Sequence, residues 1–207
     1  MTFISRRDLL KAAAVVPFAR GFQPAARPPL ENLTATEMEI LDAVVARLIP
    51  TDASGPGATE AMAAHYIDHA LGGPLAASRQ AYATGLAALD RFARSSRGAA
   101  FAKLTAADQD AVLTAVESGA ATGFTGSPAG FFAMVLGHTH QGTFGDPYYG
   151  GNANFVGWDL VNYPGVRTMV SAADQSSLES KMMRPNHKSA YDYEFTKASG
   201  QGRGPAR

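Results

Sequence analysis

The sequence predicts an all-α protein: a single domain of five or six helices, followed by a long irregular loop rich in glycine and aromatic residues. Three observations carry that prediction. Apolar residues recur three and four positions apart in several segments, and most of these segments open on a serine or threonine. No stretch alternates apolar and polar residues as a half-buried strand would. From Thr143 to Gly165 glycine, proline and asparagine interrupt every period, while tyrosine, phenylalanine and the sole tryptophan accumulate.

The elements follow in chain order. The Pro- and Ala-rich stretch from Pro24 to Pro29 reads as linker, and Thr34-Ala35-Thr36-Glu37 forms a capping box. Ile40, Leu41, Val44, Val45 and Leu48 then keep helical spacing until Pro50, and residues 51–57 form a turn-rich loop. Thr59 is the expected cap of a second helix that reaches Leu71 and stops at Gly72-Gly73-Pro74, with Met62, Tyr66 and Ala70 along one stripe. A third helix is expected over 78–95, with Tyr82, Leu86, Leu89 and Phe92 on one side. After a short segment near Phe101, Thr105 caps a fourth helix and Asp108 favours its positive end. That helix carries Val112, Ala115 and Val116 and ends near Gly119. Ser127-Pro128 supplies a cap and a first-turn proline for a fifth, through Phe131, Phe132, Val135 and Leu136 to an end near Gly142. Residues 166–183 allow a weak further helix. The expected organisation is therefore signal 1–26, linker 27–33, helical domain 34–198 and flexible tail 199–207.

Composition narrows the function. The chain has 207 residues, 46% apolar and 17% charged, enough for one folded domain with a sizeable core. Lys plus Arg and Asp plus Glu are 18 each, a balance that gives no reason to propose nucleic acid as a partner. With no cysteine, disulfides, thiolate metal sites and a cysteine nucleophile are excluded. Arg6-Arg7, followed by Leu9, Leu10 and Lys11 and a weakly apolar run to Phe18, resembles a twin-arginine export signal. Cleavage after Ala26 would leave a mature chain near −3 in formal charge, since Arg6, Arg7, Lys11 and Arg20 leave with Asp8. The twin-arginine route carries folded proteins, so such a signal can also serve a passenger bound to this chain.

Several side chains qualify as site candidates. His65 and His69 lie four apart on one helical face with Asp68 beside them, a spacing that can bind a metal, although a third ligand is not evident. His138 and His140 would fall about 200° apart on a helix but on the same side of an extended loop, where Asp146 could join them. No nucleophile elbow, dinucleotide fingerprint or phosphate loop is present. The loop 143–165 is the strongest candidate. Asp146-Pro147 and Gly150-Gly151-Asn152 prescribe tight turns, and Tyr148, Tyr149, Phe155, Trp158 and Tyr163 supply broad amphipathic rings. Such rings suit a protein interface, and they suit equally a loop that folds back to seal a helical core.

Two blocks carry a family resemblance: "LTATEMEILDAVVARLIPTDASGPGATEAMAAHYIDHAL" over 33–71 and "HTHQGTFGDPYYGGNANFVGWDLVNYPG" over 138–165. With the twin arginines, they resemble the gluconate 2-dehydrogenase subunit 3 family, the small subunits of periplasmic FAD-dependent sugar or polyol dehydrogenases. The resemblance implies an accessory role. The partner would be a FAD-binding (GMC-type) large subunit that oxidises CH–OH groups of a sugar, polyol or glycoside. A cytochrome c subunit with haem c can complete the complex, and the twin-arginine translocase would export it. No cofactor, catalytic residue or metal ligand is implied in this chain itself. The expected partner-binding residues, which face the partner or shape the loop that does, are His138, Phe144, Asp146, Tyr148, Tyr149, Asn152 and Trp158. Two alternatives stay open: that His138 or His140 contributes to an active site shared with the partner, or that His65, His69, His138 or His140 serve a self-contained metalloenzyme.

Overall fold

The computed structural model describes residues 29–193, so the twin-arginine stretch with Arg6 and Arg7 and the expected tail 199–207 lie outside the described residues. Seven α-helices run through the described chain: α1 (Ala35–Leu48), α2 (Ala63–Ala70), α3 (Arg79–Arg97), α4 (Ala106–Glu117), α5 (Pro128–Phe144), α6 (Val156–Leu160) and α7 (Ala172–Glu179). Among the described residues the only β-type pairing is an isolated bridge between Asp52 and Gly55. The all-α expectation therefore holds.

α1 begins as its sequence dictates. The Thr34 hydroxyl accepts from the Glu37 N–H, and the Glu37 carboxylate accepts from the Thr34 N–H at 2.8 Å. Burial works against the Glu37 charge, but the Thr34 N–H and the Arg79 guanidinium outweigh it and hold the carboxyl below its ordinary range. Just before α1, the buried Asp68 of α2 accepts from three consecutive backbone N–H groups, of Glu31, Asn32 and Leu33, at 2.6–2.9 Å. One carboxylate thus satisfies donors that no helix serves. It also fixes where the chain enters the fold.

α2 departs from expectation. Thr59 does not cap it. The helix starts four residues later, behind Met62 in a left-handed conformation (φ 59°), with no side-chain cap. The intervening segment is held instead by Glu60, whose carboxylate accepts from the Gly57 N–H and the Thr51 hydroxyl. α3 is longer than the expected 78–95. Ser78 belongs to a preceding 3-10 turn, Ala76–Ser78, and α3 ends at Gly98 in the left-handed region (φ 81°), the usual glycine stop. α4 is capped by Thr105 as expected.

α5 starts at Ser127-Pro128 as expected but passes through Gly142 to Phe144. The reason lies in packing. α5 lies against α2 so closely that a Cβ at Gly142 would stand 2.9 Å from the Ala63 Cα, and glycine here permits the approach of two backbones rather than a turn. The weak helix expected over 166–183 shrinks to α7, which a Ser171–Asp174 capping box opens.

The core lies between α1, α3, α4 and α5, with α2 closing one side. Tyr82, Phe101, Leu41, Ile67, Leu86, Leu89, Val45, Val112, Val116 and Val135 are its largest fully buried members. No helix among the described residues is long and apolar enough to cross a membrane.

Candidate docking site

The end of α5 is where the helical body gives way to the aromatic loop. Asp146 caps a 3-10 turn, Pro147–Tyr149, by accepting from the Tyr148 N–H. The same carboxylate accepts from the Ser189 hydroxyl at 2.6 Å and the Ala190 N–H at 3.0 Å. The chain thus returns after α7 and straps itself across the turn. Tyr191 of the strap stacks on Tyr148 at 3.7 Å between ring centroids, and its hydroxyl shares a hydrogen bond with that of Tyr149. That bond to Tyr149 is the main reason the Tyr191 phenol is harder to ionise than usual.

Asn152 is the organising residue of the loop. It is fully buried and left-handed (φ 45°), a conformation asparagine tolerates better than most residues. Its N–H donates to Gly142 O, its side-chain NH2 to Gly145 O, and its Oδ1 accepts from the Gly157 N–H. This presses α6 onto the end of α5: a Cβ at Gly157 would sit 1.9 Å from Thr143 O, a space only glycine can occupy. Asn154, Phe155 and Asn162 are also left-handed, so strained backbone is concentrated in this loop.

Trp158, on α6, is buried and donates from its indole N–H to Phe144 O at 2.9 Å. Its ring meets Phe155 and Tyr163. Phe155 in turn stacks on His187 of the returning strap, and the His187 Nε2 lies 2.6 Å from Asp159. Phe144, Trp158, Val161 and Tyr163 line an open cleft of about 260 Å³, with Val161 and Tyr163 exposed on its rim.

The expected site residues therefore divide by role. Tyr149 is exposed, and Phe144, Tyr148, Asp146 and His138 are half-buried. Asn152 and Trp158 are buried and shape the loop from within. His138 stands apart from the loop. Its Nδ1 lies 3.1 Å from the hydroxyl of the fully buried Tyr82 of α3, and the two rings stack. Burial lowers the His138 pKa and pushes the Tyr82 phenol far above its usual range, so both are neutral at pH 7. His140 is exposed near Phe144, on a different side of α5 from His138. His69 pairs with Glu31, and His65 is buried on α2. Among the described residues no three His, Asp or Glu side chains converge as a metal site requires.

Sequence reading alone missed the strap: Ser189, Tyr191 and His187, with Asp159 as partner of the last. The Ser189-x-x-Asp192 spacing was the one available signal, and it forms a capping box here.

Residues 35–165, from α1 to the glycine that ends the aromatic loop, match the family model described as gluconate 2-dehydrogenase subunit 3. The chain belongs to this family. No curated protein and no solved structure matched the chain. The family is one of subunits of a multi-subunit gluconate dehydrogenase, which implies dehydrogenase partners for this subunit 3 relative. Its matched region contains the whole Asn152–Trp158 lock, while α7 and the strap lie beyond it.

Proposed function

We propose that this subunit is a non-catalytic partner of a FAD-dependent, GMC-type dehydrogenase large subunit. It binds that flavoprotein, helps it mature and accompanies it through the twin-arginine route to the periplasm, where a cytochrome c subunit can take the electrons. FAD belongs to the large subunit in this reading and haem c to the third. The observation that carries the proposal is the shape of the aromatic loop. A buried asparagine and a buried tryptophan tie it to the end of α5 by hydrogen bonds, and it presents the exposed Tyr149 beside an open cleft lined by Phe144, Trp158, Val161 and Tyr163. Preformed aromatic surfaces bind with less ordering cost than flexible ones. Arg6 and Arg7 support the export half of the reading.

The test is a tagged pull-down from the periplasm, with the visible spectrum recorded. A larger co-purifying chain with flavin absorption supports the proposal. Trp158→Ala, which removes the inner wall of the cleft, should cut the yield of that complex about tenfold or more, since truncated central aromatics cost about 2 kcal/mol or more. A colourless chain that purifies alone refutes it, as does a Trp158→Ala chain that assembles and is exported normally.

A further inference from the structure

Beyond the aromatic loop the chain makes an excursion and returns to the point it left. Asn186 closes the neck of this finger. Its N–H donates to Pro164 O at 3.2 Å and its side-chain NH2 to Val166 O at 2.8 Å. Gly165, left-handed at φ 84°, passes so close that a Cβ there would collide with the Asn186 side chain. The Tyr193 hydroxyl also donates to Val166 O. Within the finger, the Arg167 guanidinium donates to Pro164 O and Arg184 O and lies 4.0 Å from the Asp174 carboxylate of α7. Surface loops whose ends meet and whose own side chains fill them are frequently functional.

The finger reverses the usual arrangement of polar and apolar groups. Arg167 and Asn186 tie it from within, while Met169, Val170, Leu178 and Met182 stand 85%, 63%, 51% and 77% exposed, and α7 buries none of its residues. Among the described residues, six of the eight large apolar side chains that stand exposed lie between 161 and 182. Val161 and Tyr163, on the cleft rim, are the other two of the six. Single apolar residues on a surface need no explanation, but a concentration of them marks a contact.

We infer that the finger, residues 166–185, is a second arm of the docking site, laid against apolar surface of the dehydrogenase large subunit through Met169, Val170, Leu178 and Met182. The assignment rests on the large-subunit partner proposed above and extends that partner's footprint beyond the cleft. Three observations select this occupant. Tyr163 of the cleft rim is followed directly by Pro164 and Gly165 of the neck, so a partner seated in the cleft stands at the root of the finger. The family is one of subunits of a multi-subunit dehydrogenase, and its matched region stops at Gly165, where the finger starts. The charge does not suit a bilayer. Arg167, Lys181 and Arg184 against Asp174 and Glu179 leave only +1 over 166–185, and α7 has no basic residue, whereas a helix lying on a membrane carries Lys and Arg along its polar face. The unbranched thioethers of Met169 and Met182 adapt to irregular apolar surface, as a protein partner requires.

The absence of cysteine makes the test direct, because one introduced thiol reports one place. The full chain carrying Met182→Cys is alkylated with iodoacetamide, alone and in the complex with the flavin-containing chain that co-purifies with it. Alkylation should be at least about tenfold slower in the complex. Separately, Met169→Ser, Leu178→Ser and Met182→Ser together should cut capture of the flavin-containing chain about tenfold, with Trp158 emission unchanged, while Leu30→Ser, at an exposed apolar residue outside the finger, leaves capture as it was. If the wild type captures no flavin-containing chain, the partner reading falls and this arm with it. If capture persists but Met182→Cys reacts at its free rate, or the triple variant captures as well as wild type, the arm alone is overturned. Protection of Met182→Cys that arises without the flavoprotein, either as the free chain is concentrated or on phosphatidylglycerol vesicles, also overturns it and assigns the finger to a second copy or to a bilayer.

Discussion

Replacing Asn152 with alanine should unlock the aromatic loop while leaving the helical body folded. The substitution deletes two side-chain hydrogen bonds, at 2.9 Å to Gly145 O and 2.8 Å from the buried Gly157 N–H. A buried group stranded in this way costs about 1–3 kcal/mol. Alanine must also adopt φ 45°, where an L residue with a Cβ is penalised by about 1–2 kcal/mol. The low end of these terms together is about 3 kcal/mol, a large share of the roughly 5–15 kcal/mol that holds a domain together. The assay is built into the chain. Trp158 is the only tryptophan, and it sits buried within the loop with its indole N–H bonded. In a urea titration of Asn152→Ala its fluorescence should shift to the red well before the far-UV circular dichroism falls. Asn152→Gly makes the comparison sharper. It loses the same two hydrogen bonds but escapes the left-handed penalty, so it should be the more stable variant by about 1 kcal/mol, the reverse of the usual order of alanine and glycine in ordered structure. An alanine variant within about 0.5 kcal/mol of wild type, or one that equals the glycine variant, would refute the assignment of Asn152 as the lock.

Two further outcomes are expected. The His138 pKa is lowered by burial, so the unfolded chain binds a proton more readily than the folded one, and stability should fall as pH drops from about 6.5 towards the lower folded value. His138→Gln should flatten that part of the stability profile, and an unchanged slope would show that His138 is not its source. Asp146→Ala removes the acceptor of the Tyr148 N–H, the Ser189 hydroxyl and the Ala190 N–H, so it should release the strap. Amide exchange over residues 186–193 should then rise at least about tenfold with little change in α1 and α3, and protection that persists would place the strap's anchor elsewhere.

Helices whose ends carry their own chemistry were readable in advance. Thr34 with Glu37, Thr105 with Asp108 and Ser127 with Pro128 mark α1, α4 and α5 because the capping groups lie within four residues of the amides they serve. α2 was misjudged because Thr59 looks like a cap, whereas Glu60 gathers that segment into a turn and Met62 starts the helix. The end of α5 was set too early because glycine signals termination locally, while at Gly142 it answers to a helix some eighty residues back in the chain. The aromatic loop announced itself by composition, but its mechanics did not. Asp146 meets residues 43 and 44 positions away, and His138 meets Tyr82 across 56. No local pattern encodes such pairings, so Tyr82 and the strap stayed invisible until the fold brought them together.

The strap gives the order of synthesis a meaning. Asp146 must wait for Ser189 and Ala190 before its carboxylate is satisfied, and the Tyr148 ring must wait for Tyr191. At ribosomal rates of roughly 5–20 residues per second, that interval lasts a few seconds, during which the helical body can already have formed. A chain cut short anywhere between α6 and residue 189 would keep the entire helical core yet lack the clasp over its aromatic loop. The finished surface is therefore acquired later than the helical body, only once residues 187–191 have been made.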